Sequence, residues 1–69
     1  MRREIQQYVG QIVRLNAPLF RRIREQAARH GIVLDNAFVV AQVSRKMKKL
    51  ICYGSSFRIV VDVADVAFA

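Results

Sequence analysis

The sequence predicts an α+β domain in which a short strand leads into two helices and a further strand follows near the C-terminal end. Apolar and polar side chains alternate over residues 11–16 and again over residues 57–62, which is the two-residue period of a strand. Between them, residues 16–30 carry an apolar stripe at helical spacing, and residues 35–52 form a longer, mostly apolar segment. A chain of 69 residues forms one domain at most.

The first strand follows a polar and basic N-terminal arm, residues 1–10. The alternation divides the strand into two faces, with Gln11, Val13 and Leu15 on one and Ile12, Arg14 and Asn16 on the other. A single strand leaves backbone donors and acceptors unpaired on both edges. We therefore expect it to pair either with a second copy of itself or with the C-terminal strand of its own chain.

The first helix has the clearest boundaries in the sequence. Asn16 is a favourable N-cap residue, and Pro18 is tolerated in the first helical turn. Gly31 occupies the position where a left-handed residue often ends a helix, so the helix is predicted to end at about Arg29 or His30. Its apolar stripe is formed by Leu19, Phe20, Ile23 and Ala27, and His30 falls at the same helical spacing.

A second helix is predicted from a cap at Asp35 or Asn36 to about Cys52. Its first half, residues 37–43, is apolar on nearly all sides, which is typical of a helix that is buried on more than one side. Its second half keeps a narrower apolar stripe, and the remaining positions are basic: Arg45, Lys46, Lys48 and Lys49.

The C-terminal segment, residues 54–69, is predicted to add a strand. Phe57, Ile59 and Val61 fall on one face of this strand. Arg58, Val60 and Asp62 fall on the other. An exposed apolar strand promotes aggregation, so we expect it to be paired within the chain, in a dimer or with a partner protein.

The charge of the chain favours a polyanionic partner. Its 12 basic and 5 acidic side chains give a net charge of +7. Residues 1–53 carry 11 of the basic side chains and 3 of the acidic ones, so the first three quarters of the chain has a net charge of +8. A basic body of this kind is typical of nucleic-acid-binding proteins.

The composition excludes several classes of protein. The chain has one cysteine, Cys52, and one histidine, His30, so it can form neither an intrachain disulfide nor a zinc site of cysteines and histidines. No nucleophile with a matching base is visible, which predicts a protein that is not an enzyme and needs no cofactor. The single free cysteine fits a reducing, cytoplasmic location. Neither a membrane-spanning segment nor a signal peptide is visible, so we expect no membrane contact.

The order of basic arm, strand, helix, glycine turn and buried helix resembles the ribbon-helix-helix family of DNA-binding proteins, the Arc and MetJ type. The resemblance covers about residues 11–51. It rests on Val13-Arg14-Leu15 before Pro18-Leu19, on Ile23 and Ala27, on Gly31, and on the run from Leu34 to Val43. It implies an intertwined homodimer with a core domain over residues 11–53, whose two strands form an antiparallel ribbon that enters the major groove of double-stranded DNA.

The resemblance also implies the residues that contact DNA. The base-contacting set is Ile12, Arg14 and Asn16, with Gln11 in their place if the strand is shifted by one residue. The resemblance places the backbone from Leu34 to Asn36, at the start of the second helix, against a phosphate. Four basic residues are further candidates for phosphate contacts: Arg2 and Arg3 of the arm, and Lys46 and Lys48. A nucleoid-associated repressor, an antitoxin or an accessory protein of plasmid transfer would all fit this pattern.

Two alternatives remain open from the sequence. If the strand of residues 57–61 pairs with residues 13–15 of the same chain, the order becomes β-α-α-β, which resembles the minimal core of the KH family of RNA-binding modules. The turn between the helices has one glycine, Gly31, where that family has a GxxG loop. Otherwise the C-terminal strand can join the sheet of a partner, which predicts a protein-interaction module.

Overall fold

The computed structural model describes residues 4–54 and 57–69, which form an antiparallel sheet with one α-helix against one of its faces. In chain order the elements are β1 (Ile12–Leu15), α1 (Ala17–Arg29), β2 (Phe38–Ser44), β3 (Lys49–Gly54), β4 (Phe57–Asp62) and β5 (Val66–Phe68). Short 3-10 helices lie at Ile5–Tyr8 and Val63–Asp65. The architecture is therefore α+β, as predicted, but with a different set of elements.

The spatial order of the strands is β4-β3-β2-β1-β5, so β1 lies inside the sheet. Val13 of β1 pairs with Phe38 of β2 on one side and with Phe68 of β5 on the other. The first strand thus finds both of its partners within its own chain. The C-terminal strand predicted at residues 57–62 is confirmed as β4, but it pairs with β3 at the far edge, and β5 is the strand that joins β1.

The prediction of an intertwined ribbon-helix-helix dimer is wrong. That fold needs two helices, whereas the described residues contain one α-helix, and its ribbon needs a β1 edge that is free to pair with another chain. Both edges of β1 are occupied by β2 and β5. A ribbon of two β1 strands cannot form without breaking this sheet.

The predicted second helix is instead the β2–β3 hairpin. Phe38, Val40, Leu50 and Cys52 are buried at two-residue spacing, which is the period of a strand. Valine is stiff at its first side-chain torsion and packs well in a strand, and a short apolar run alone cannot distinguish a strand from a helix. The hairpin tip, residues 45–48, has no glycine, proline or asparagine to indicate a turn, and Lys48 takes the left-handed conformation at φ 54°.

The prediction of the first helix is confirmed. The Oδ1 atom of Asn16 accepts a hydrogen bond of 3.0 Å from the backbone N–H of Leu19, which caps the helix. Ile23 and Ala27 are its buried residues, four positions apart on one face. Gly31 follows with a φ of 74°, the left-handed conformation expected after a helix end.

The core lies between α1 and the inner face of the sheet. Its most deeply buried large side chains come from the strands: Phe38, Leu50, Val13, Val40 and Cys52. A Cβ atom added to Gly54 would lie 2.7 Å from Cδ1 of Phe38, so the Phe38 ring occupies the space beside that glycine. The ring of Tyr8 stacks on Phe68, with centroids 4.7 Å apart, and so joins the N-terminal 3-10 helix to β5.

Asn36 continues the hydrogen bonding of β1 beyond the end of β2. Its Oδ1 accepts from the backbone N–H of Leu15 at 2.8 Å, and its Nδ2 donates to the carbonyl oxygen of Leu15 at 2.9 Å. The residue pairs between β1 and β2 end at Val13 and Phe38, so this amide takes the place of a further strand residue. The described residues include no helix long and apolar enough to cross a membrane.

Candidate nucleic-acid interface

The sheet has a second face, directed away from the core, that carries a row of four side chains across four strands. Ile12 of β1 is paired with Val39 of β2, Val39 with Tyr53 of β3, and Tyr53 with Arg58 of β4. All four residues are exposed, whereas their chain neighbours Val13, Phe38, Val40, Cys52 and Ile59 are buried. Successive side chains of a strand point to opposite faces of the sheet, so these four paired residues lie side by side on the face opposite the core.

Two further exposed residues extend the row into a surface. Arg14 lies two residues after Ile12 on β1, and Val60 lies two residues after Arg58 on β4, so both share its face. We call the six residues together the open face: Ile12, Arg14, Val39, Tyr53, Arg58 and Val60.

The open face is apolar in its middle. Among the described residues seven large apolar side chains are exposed, and four of them lie here: Ile12 (52%), Val39 (46%), Tyr53 (47%) and Val60 (54%). Large apolar side chains that are scattered singly over a surface need no explanation, but a contiguous group of them is typical of a binding site. This clustering distinguishes the open face from the rest of the surface.

The charges at the two ends of the open face are positive. Arg14 stands on β1 and Arg58 on β4, three interstrand spacings apart, or about 14 Å. The nearest carboxylate on this side of β4 is Asp62, which forms an ion pair of 2.7 Å with Lys49 Nζ. That pair is the one salt bridge found in residues 4–54 and 57–69, so neither arginine forms an ion pair with a carboxylate within this part of the chain.

A second basic feature is the tip of the β2–β3 hairpin. Arg45, Lys46 and Lys48 surround Met47, which is 66% exposed. The Nε of Arg45 donates to Oε1 of Gln6 at 3.3 Å, which joins the tip to the N-terminal 3-10 helix. The tip therefore presents three cationic side chains at one end of the molecule.

The structure brings together some of the residues predicted to contact bases. Ile12 and Arg14 are exposed on the open face, as the strand alternation predicts. Gln11 is exposed just before β1, and its carbonyl oxygen accepts from the N–H of Val40 at 3.0 Å. Asn16 is used within the fold, because its Oδ1 caps α1 and its Nδ2 donates to Oδ1 of Asp65 at 3.1 Å.

The residues predicted to contact phosphates are dispersed. Lys46 and Lys48 are exposed at the hairpin tip. Leu34 is buried in the core and Asn36 is hydrogen-bonded to Leu15. The helix N-terminus predicted at these residues is absent, because this region precedes the strand β2. Arg2 and Arg3 lie outside the described residues.

Sequence reasoning missed Tyr53 and Val39 as surface residues. The sequence predicts a helix at Val39 and the end of that helix just before Tyr53, so neither residue is predicted to share a sheet face with Arg14. Two signals could have identified them: Cys52 lies between Ile51 and Tyr53 in a short run with strand character, and valine is frequent in residues 38–43. Tyr53 is the one tyrosine or phenylalanine of the described residues that is exposed.

The described residues offer no site for metal or thiol chemistry. They contain no group of three or more histidine, cysteine, aspartate or glutamate side chains that could hold a metal ion. Burial raises the pKa of the Cys52 thiol to about 11, so at neutral pH it is protonated and unreactive. What the open face can do is bind: its apolar centre and aromatic ring suit a planar ligand, and its arginines suit an anion.

Comparisons with known proteins give no match: no family model, no curated protein and no solved structure resembles the chain closely enough to be matched. The resemblance to ribbon-helix-helix proteins thus rests on residue patterns alone.

Proposed function

We propose that this protein binds single-stranded nucleic acid on the open face of its sheet. The observation that carries the proposal is the pairing of Tyr53 with Arg58 on adjacent strands, beside Val39 and Ile12 in the same row. An exposed aromatic ring on a sheet can stack on a base, and an adjacent arginine can bind the phosphate or stack in turn. The net charge of +7 would attract the strand from a distance.

The width of the open face favours single strands over the major groove. The row crosses four strands, about 14 Å between the outer backbones, whereas the major groove of B-DNA is about 12 Å wide and admits a helix or a two-stranded ribbon. The double-stranded DNA expected from the sequence is an untested prediction. It is the competing ligand in the experiment below.

The proposal is tested by fluorescence anisotropy with labelled single-stranded DNA, single-stranded RNA and duplex DNA of the same sequence. We expect Tyr53→Ala to weaken binding of the single strands by ~1–3 kcal/mol, because the side chain that stacks on the base is removed. Tyr53→Phe is the matched control, because it keeps the ring and should retain most of the affinity. Stronger binding of the duplex, or equal affinity of Tyr53→Ala and the wild type, would contradict the proposal.

The salt dependence of the same binding measurement shows which basic residues contact phosphates. Arg58→Ala and Arg14→Ala should each reduce the slope of affinity against salt concentration, by about one unit for each phosphate that the arginine neutralises. Arg21→Ala is the matched control, because Arg21 is exposed on α1 and does not belong to the open face. If Arg21→Ala reduces the slope as much as Arg58→Ala, binding follows net charge alone and no specific face is involved.

A homodimer is a further prediction from the sequence that stays untested. The apolar centre of the open face would be its natural interface, since contiguous exposed apolar surface also promotes association. Light scattering on the wild type and on Tyr53→Ala distinguishes the two uses. A dimer that Tyr53→Ala dissociates would assign the open face to self-association, and nucleic acid would then have to bind elsewhere, for example at the hairpin tip.

A further inference from the structure

An open groove of about 400 Å³ lies between α1 and the edge strand β4. On the helix side it is lined by Leu19, Arg22, Ile23 and Gln26, which share one face of α1 because they are spaced by three or four residues. On the sheet side it is lined by four consecutive residues of β4, from Phe57 to Val60. The volume falls within the range of about 300–1,000 Å³ that is usual for ligand-binding clefts.

The consecutive lining residues show that the groove follows the edge of the sheet. Successive side chains of a strand point to opposite faces, so Arg58 and Ile59 can border the same space only where that space runs past the strand's outer edge. β4 is the last strand in the sheet order, and β3 is its neighbour on the other side. Alternate residues of an edge strand direct their backbone N–H and C=O groups outward, in this case into the groove.

The electrostatic character of the groove selects its ligand. Its lining includes two arginines, Arg22 and Arg58, and no acidic side chain. Its remaining lining is largely apolar, with Leu19 and Phe57 half-buried beside the buried Ile23. A ligand that fits must satisfy backbone hydrogen bonds, contact apolar side chains and carry negative charge.

We infer that this groove binds an extended, acidic segment of a partner protein, which adds to β4 as a further strand of the sheet. Side chains of an added strand alternate between the two faces of the sheet, so one set would contact Leu19 and Phe57 on the helix side, where Arg22 lies, while the other set would place carboxylates beside Arg58 on the open face. The groove shares Arg58 and Val60 with the open face but extends from them along the outer edge of β4 to α1, and the inference does not depend on nucleic-acid binding.

The test uses the full-length ¹⁵N-labelled protein and a pool of short, end-blocked peptides in which Glu or Asp alternates with Val, Ile, Leu or Phe. A second pool with Lys or Arg in place of the acidic residues is the charge control. We expect the acidic pool to shift the amide resonances of residues 57–62 and 19–26, and to slow hydrogen exchange along β4. The basic pool should cause neither effect.

The decisive variants are Arg22→Glu and Arg21→Glu. Both change the net charge equally on exposed positions of α1, but Arg22 lines the groove and Arg21 does not. We expect Arg22→Glu to weaken binding of the acidic pool about tenfold or more, and Arg21→Glu to have a small effect. Failure of the acidic pool to bind, equal binding of the basic pool, equal weakening in both variants, or shifts at Ile12, Val39 and Tyr53 without shifts in residues 19–26 would each overturn the inference.

Discussion

On the inner face of the sheet Phe38, Val40 and Cys52 are at most 1% exposed, whereas their chain neighbours Val39 and Tyr53 on the open face are 46% and 47% exposed. The two faces carry side chains of similar kind, and both come from the same strands. The difference is that α1 covers one face and leaves the other in solvent. Apolar content therefore does not identify the core of this protein, because the position of the helix decides which apolar face becomes core and which becomes surface.

The largest effect expected from this difference is on stability. Phe38→Ala removes a fully buried ring and leaves a cavity, so the free energy of unfolding should fall by ~3–5 kcal/mol. Val39→Ala, one residue away on the open face, should change it by about 1 kcal/mol or less, since the methyl groups it removes are already half in water. Urea denaturation of both variants measures the two values. Similar decreases would mean that the open face is covered in solution.

The next largest effect is a pH dependence of the free energy of unfolding, which arises from Cys52 on the inner face. Burial raises the pKa of Cys52 to about 11, so the folded protein keeps the thiol protonated at pH values where the unfolded chain has begun to lose that proton. The contribution is complete below about pH 9 and is lost as the pH rises through 11, amounting to about 2–3 kcal/mol in total.

Chemical denaturation between pH 8 and pH 11 tests this pH dependence. Cys52→Ala is the reference variant, because it lacks the thiol but keeps every other titrating group. The gap in stability between the wild type and Cys52→Ala should narrow, or change sign, as the pH rises. A constant gap would show that Cys52 is not the group responsible.

A smaller effect on stability is expected from the side-chain amide of Asn36, which is hydrogen-bonded to the backbone of β1 at Leu15. Asn36→Ala removes both hydrogen bonds to Leu15, so the free energy of unfolding should fall by ~1–2 kcal/mol, limited by the access of water to this half-buried site. Asp35→Ala is the matched control, because Asp35 is exposed, and its effect should stay within about 0.5 kcal/mol. Equal effects of the two substitutions, measured by thermal unfolding, would show that the bonds to Leu15 contribute nothing.

The sequence predicted an element correctly where the signals for that element lie within the element itself. The cap at Asn16, the stripe through Ile23 and Ala27, and Gly31 together predicted α1, and each of these signals acts within a few residues. The alternation of residues 57–62 predicted β4 and placed Arg58 and Val60 on a common face. The outward position of Arg14 was predicted in the same way.

Local patterns failed where two structures were locally acceptable. The apolar segment of residues 37–43 satisfies the composition of a buried helix as well as that of a buried strand, and the turn at residues 45–48 lacks the residues that usually indicate one. A helix in this segment puts Val39 in a buried helix and Tyr53 just after the helix end, so neither is predicted to lie on a sheet surface. The error in this one segment therefore concealed the two central residues of the row, Val39 and Tyr53.

By itself the sequence determined the basic charge of the protein, the helix α1, the strands β1 and β4, and the outward direction of Arg14 and Arg58. Only the tertiary structure decided that residues 38–54 form a hairpin, that β2 and β5 enclose β1, and that Ile12, Val39, Tyr53 and Arg58 form one row. The physical reason is that helix signals act between residues three or four positions apart. Strand pairing instead joins distant segments, as Val13 and Phe68 show, and depends on which partners can cover the same core.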